Sequence, residues 1–224
     1  MTDTAPTYRQ ALKDSQHPLY KAAWIIFGEK MDLKFAAKEL DAQKEQVIPF
    51  LMEIANAPEL ESESSLGSGH APPNALRLLG RWQVVEALPR LLHILENEDW
   101  DTNIHEPAVT ALEKMGPAAL EPVLAIVERT KDQAARVTLS SILSSVGKGD
   151  PRAYAFVKTL FDEQKTDWDI RFVSESLLAC DRDAAIALLE ERIRRGKYNK
   201  ALRKILEGYI ADARAGEFDR DDDD

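Results

Sequence analysis

Residues 69–130 carry one pattern twice, and this repetition limits the possible folds more than any other feature of the chain. GHAPPNALRLLG is followed by a polar break and EALPRLLHILEN; IHEPAVTALEKMG is followed by a shorter break and ALEPVLAIVERT. In each half an apolar helical pattern ends at a glycine, and a second apolar pattern carries a proline in its first turn. Self-similarity with a period of a few tens of residues is the signature of stacked repeats.

The units can be laid over one another from residue 69 onward. The apolar pairs Ala75-Leu76, Ala111-Leu112, Ile142-Leu143 and Leu177-Leu178 recur at spacings of 36, 31 and 35 residues. Four residues after each pair stand Gly80, Gly116, Gly147 and Arg182. Glycine there suits a left-handed residue that ends a helix, and the spacing predicts that role for all three. The last unit departs from the rule, so its turn is expected to be built through Asp181. The second helices read VIPFLMEI, ALPRLLHI, LEPVLAIV, AYAFVKTL and AAIALLEE, with Pro49, Pro89 and Pro122 in register. Proline is tolerated in a first turn because that N–H has no helical partner, so all three are expected there.

Outside the repeats, a weak helical signal surrounds Tyr8–Leu12, and PLYKAAWIIFGEK predicts a helix closing near Gly28. DLKFAAKEL and EQVIPFLMEIANA form a degenerate first pair. PELESESSLGSG loses all periodicity, either as a mobile insertion or as a boundary before the repeats. NKALRKILEGYIADAR has one apolar and one charged face, as a terminal capping helix requires. The chain thus divides into an N-terminal helical cap with a degenerate repeat (1–56), an acidic, Ser-rich loop (57–68), the repeats (69–196), a C-terminal capping helix (197–214) and an acidic tail (215–224) expected to be disordered.

Composition bounds the function. Of 224 residues 39 are acidic and 29 basic, giving a net charge of −10, and EFDRDDDD supplies half of that excess. An acidic chain repels a phosphate backbone unless it carries a local basic face. The single cysteine, Cys180, excludes an intramolecular disulfide or a multi-Cys zinc site and reads as a small buried thiol. The N-terminal residues have no apolar signal-peptide core and no run is long enough to span a bilayer, so a soluble cytoplasmic protein is expected, with no membrane partner.

RVTLSSILSSVG (Arg136–Gly147) and HEPAVTALEKMG (His105–Gly116) resemble the first helix of HEAT-type repeats, and the x-x-Pro-x-Leu-Leu second helices are similar to theirs. The resemblance covers residues 69–195, with an echo at 32–56. The order of elements also resembles bacterial HEAT-like proteins of unassigned function. It implies an all-α, right-handed α-solenoid of helix pairs with capping helices at both ends, whose second helices line a concave side.

Several residues suggest chemistry. Deoxyhypusine hydroxylases are HEAT-like proteins with a di-iron site built from several His-Glu pairs at helix starts. Here only His105-Glu106 matches; the equivalent places hold Gly69-His70, Arg136-Val137 and Arg171-Phe172. One pair cannot supply the converging ligands of such a centre, so no metal or cofactor is expected. HEAT-like DNA glycosylases suggest attention to Trp82, Trp100 and Trp168, read as turn residues with a structural role, and to the cations Arg192, Arg194, Arg195, Lys197, Lys200, Arg203 and Lys204. This basic run reads first as a solvated face and second as a nucleic-acid or acidic-partner patch. No Gly-rich phosphate loop, Gly-x-Ser-x-Gly or His-Glu-x-x-His occurs.

The expected function is a non-enzymatic protein–protein interaction module or assembly scaffold. The alternative is a nucleic-acid-binding or glycosylase-type HEAT-like protein. The candidate partner-binding positions on the second helices are Arg90, His93, Glu121, Arg152, Lys158 and Glu190.

Overall fold

A computed structural model describes residues 7–196 and 198–216. These residues fold into helices joined by turns, with no strand among them. The chain divides into two compact units, Met1–Met115 and Gly116–Asp224.

The first unit contains α1 (Thr7–Lys13), α2 (Tyr20–Ile26), α3 (Leu33–Leu40), α4 (Lys44–Ala55), α5 (Ala71–Arg81), α6 (Leu88–Asn97) and α7 (His105–Lys114). Its centre is α5, which packs against α2, α3, α4 and α7. From Ala71 to Gly80 every residue except Arg77 is buried. A helix buried all round must be apolar or have its polar groups satisfied, and Asn74 shows how. Its amide donates to the carbonyls of Ile26 (2.9 Å) and Gly28 (3.0 Å), closing the end of α2. The short α1 is anchored by Tyr8, 1 % exposed, whose ring meets Phe27 and whose hydroxyl donates to Glu59 at 2.8 Å.

The second unit contains α8 (Leu120–Arg129), α9 (Gln133–Val146), α10 (Pro151–Glu163), α11 (Asp167–Cys180), α12 (Arg182–Arg194) and α13 (Lys200–Arg214). Here α9 packs on α11 and α11 on α13, while α10 touches both α9 and α11 and α12 touches both α11 and α13. Thus α13 lies against α11 and α12 as α11 lies against α9 and α10. Small hydroxyl residues line this packing: Ser140 and Ser176 meet at 3.3 Å, and Ser174 donates to Ile170 O. Most helices of this unit start at a capping side chain. Asp132, Asp150, Thr166, Asp181 and Asn199 each accept a backbone N–H from the first turn of the helix that follows. Asp181 therefore builds the turn that has Arg182 in place of glycine.

The glycines and prolines correct the sequence reading in part. Gly116 is left-handed, with φ +61°. Gly80 and Gly147 are not; both are required by close approach. A Cβ on Gly80 would lie 2.4 Å from Ala111 Cα, and one on Gly147 would lie 2.6 Å from Ala153 Cβ. Pro89 and Pro122 lie in first turns, but Pro49 lies well inside α4, because that helix begins at Lys44, a turn earlier than expected.

The aperiodic stretch 57–68 is tied to its surroundings at several points. Leu60 is buried, Ser65 Oγ donates to Leu60 O at 2.8 Å, and Asn103 donates to Glu61 O and Gly69 O. Gly67 sits against Phe27, where a Cβ would come within 2.9 Å of the ring. The acidic tail lies outside the described residues from Glu217 onward.

Candidate interaction groove

Among the second helices, α8 and α10 frame an open groove of about 340 Å³. Each is joined to α9 by a short turn and packs against it, so the two run in the same direction. One face of α8 contributes Glu121, Leu124, Ala125 and Glu128, at the i, i+3, i+4, i+7 spacing that aligns side chains along a helix. Val127 completes that wall, and α10 supplies Arg152 and Phe156 one turn apart.

At the end of the groove where both helices start, Arg152 is held in a fork. Its Nη2 donates to Glu121 Oε1 at 2.6 Å and to Asp150 Oδ2 at 2.9 Å, and its Nε reaches Asp150 Oδ1 at 3.2 Å. The guanidinium bonds, with a backbone N–H bond from Arg152, lower the Asp150 carboxyl to about 2. The two acids raise the Arg152 pKa further. All three groups are solvated at the rim, so they orient one another and add little stability.

The middle of the groove is apolar. Phe156 forms its α10 side, with the Arg136 guanidinium 5.5 Å from the ring centroid. Arg136 also bonds Glu163, which fixes the cation against the ring. The far end carries Glu128 in the last turn of α8, exposed and without an ion pair to a described residue.

The structure brings together two of the six candidate partner-binding positions, Glu121 and Arg152. Arg90 is different: its Nε donates to Ala55 O and its Nη2 to Glu61, both at 2.9 Å, and its side chain is 14 % exposed. It is a tie between α6 and the stretch after α4. Burial keeps the Glu61 carboxyl above its usual range despite that cation. His93 is exposed beside Asn97, Lys158 is exposed on α10, and Glu190 pairs with Arg214 at 2.7 Å.

The basic run is partly neutralised. Arg192 pairs with Asp162, Arg195 with Glu191 and Arg203 with Glu207. Arg194, Lys200 and Lys204 are exposed, and Lys197 lies outside the described residues. His105 opens α7, with its pKa lowered by burial, while Glu106 accepts from Arg77 and Thr110. No group of three or more His, Cys, Asp or Glu able to hold a metal occurs among the described residues. Cys180 is buried and its thiol pushed up to about 12 by desolvation, so it has no thiolate character at neutral pH.

Two of the three tryptophans depart from the sequence reading. Trp82 follows α5, where Lys44 lies over its ring. Trp100 is in a turn but 81 % exposed, so it has no packing role there. Trp168 is inside α11, stacked on Phe172 with centroids 5.6 Å apart, and is largely exposed. Their shared Asp-Trp-Asp contexts do not make them equivalent.

The chain matches no protein-family model, no curated protein and no solved structure. Among the described residues no helix is long and apolar enough to cross a membrane.

Proposed function

We propose that this chain is a HEAT-like, right-handed α-solenoid that serves in the cytoplasm as a non-enzymatic protein-interaction module or assembly scaffold, with the partner bound on its second helices. The observation that carries this reading is the groove between α8 and α10. It combines a half-buried apolar strip of Leu124, Val127 and Phe156 with a rim of oriented charges. An apolar centre within a polar rim is the anatomy of a binding hot spot. The alternation of helix packing within each unit supports the repeat reading, because each pair leaves an apolar face for the next. The nucleic-acid alternative has less support, since three cations of the basic run are engaged with acids of the chain itself.

The test is site-specific cross-linking in lysate of the native host. A photoreactive residue at exposed Ala125 should capture one protein in stoichiometric yield at low and high salt. The same residue at exposed Ala187 on α12 should not. Equal capture from both positions, or recovery of nucleic acid in place of protein, would sink the proposal.

A further inference from the structure

The groove between α8 and α10 is asymmetric in charge, and this says what kind of partner segment fits it. At the starting end, Arg152 is already satisfied by Glu121 and Asp150, so it offers little to an incoming acid. At the opposite end Glu128 stands exposed in the last turn of α8, while the neighbouring Arg129 turns back to donate to Ala125 O at 2.9 Å and Thr130 donates to Ile126 O. Between the ends, Leu124, Val127 and Phe156 present apolar surface. The lining contains two carboxylates against one guanidinium, Asp150 adds a third carboxylate at the rim, and the Arg136 guanidinium against Phe156 is already bonded to Glu163. The chain as a whole has a net charge of −10, which favours the approach of cations.

Resting on the protein-interaction reading, we infer that the groove receives a basic amphipathic helix of a partner protein, with a bulky apolar side chain over Leu124 and Phe156 and a Lys or Arg about one turn away at Glu128. Leu124 and Glu128 are themselves one turn apart on α8, so an anchor and a cation spaced i, i+4 on the partner match them. A groove of about 340 Å³ holds one or two anchoring side chains, with the rest of the helix lying across its mouth. An acidic helix would meet Glu128 and Glu121 with like charge.

The test uses the full chain and three fluorescent synthetic helices with one pattern of leucines and with Lys, Gln or Glu at the polar positions, read by anisotropy at 150 mM salt. The Lys helix is expected to bind at least tenfold tighter than the Glu helix. Glu128→Lys should weaken it at least tenfold, whereas Glu86→Lys, an exposed acid of the first unit, should change it less than twofold. Ala125→Trp fills the mouth without removing a buried side chain, and should abolish binding. If Ala125→Trp blocks the Lys and Gln helices alike and Glu128→Lys changes nothing, the groove stands and the basic partner is overturned. If Ala125→Trp leaves every helix unaffected, this inference fails and so does the groove reading beneath it. Equal weakening by Glu128→Lys and Glu86→Lys would mark diffuse attraction to an acidic protein, and would overturn the inference as well.

Discussion

The two units hold their helices by different means. In the first, α3 alone among α2–α7 has a side-chain N-cap, from Asp32. Its order comes from contacts distant in sequence: Gly80 against Ala111, Asn74 on the end of α2, Arg90 on Ala55 O, and Asn103 on Gly69 O. In the second unit five of the six helices carry their own cap, and the buried serines bond within or between neighbouring helices. One unit therefore depends on tertiary fit and the other on local signals, although both are written in the same helical pattern. A repeated sequence pattern fixes which faces meet. It does not fix how closely they meet.

The largest effect should come from breaking the close approach. Gly80→Ala places a Cβ 2.4 Å from the Ala111 backbone, and overpacking of this severity costs about 3 kcal/mol or more. Urea unfolding should show a clear fall in midpoint, confined to the first unit if the units report separately. Arg90→Met comes next. It leaves Ala55 O and the half-buried Glu61 without their donor, at about 1–3 kcal/mol. A thermal midpoint unchanged within error would show that these ties are incidental and that the contrast between the units is wrong.

In the second unit the losses should be smaller and should add. Asp132→Ala and Asp181→Ala each remove a cap at about 1 kcal/mol, and the double variant should lose about 2 kcal/mol because the sites share no partner. Strong coupling between them would contradict a locally ordered unit.

The smallest effect is the response to acid. Burial favours neutral His105, so its folded pKa lies below the free value of 6.5. Stability from this group is complete above pH 6.5 and falls as the pH drops through that value toward the lowered one. His105→Gln should flatten the decline that sets in below pH 6.5. Asp150 in the second unit, at about 2, keeps its contribution until the pH falls below the ordinary carboxylate value of 3.8. Chemical denaturation at stepped pH would separate the two windows.

How much of this was legible in the sequence follows from which residues act locally. Helix order, the register of Pro89 and Pro122, and the Asp181 turn all depend on neighbours within a few residues, and all were readable. Gly80 and Gly116 occupy the same place in the repeat yet serve different ends, because a sequence does not say whether a missing Cβ frees φ or admits a neighbouring helix. Glu121 and Arg152 were picked singly as second-helix positions, but their pairing, one repeat apart, needed the packing of α8 and α10 on α9. Phe156 and Leu124 carried no signal of their own. An apolar residue on a helix reads as core until its neighbours are seen to stop short of covering it. Arg90 failed in the opposite direction: a charge in the expected surface register turned out to be a half-buried tie.

The Asn74 amide has a consequence for motion. A seven-residue helix such as α2 is too short to persist alone, and its end would ordinarily fray. Its last carbonyl, that of Ile26, and the carbonyl of Gly28 just beyond it are held by a side chain rooted in the most buried helix of the unit. Lifting α2 away strands that amide without partners, so the peripheral helix opens only together with its anchor. Amide protons of α2 should then exchange with deuterium at rates approaching those of α5, one cooperative unit spanning the edge and the centre.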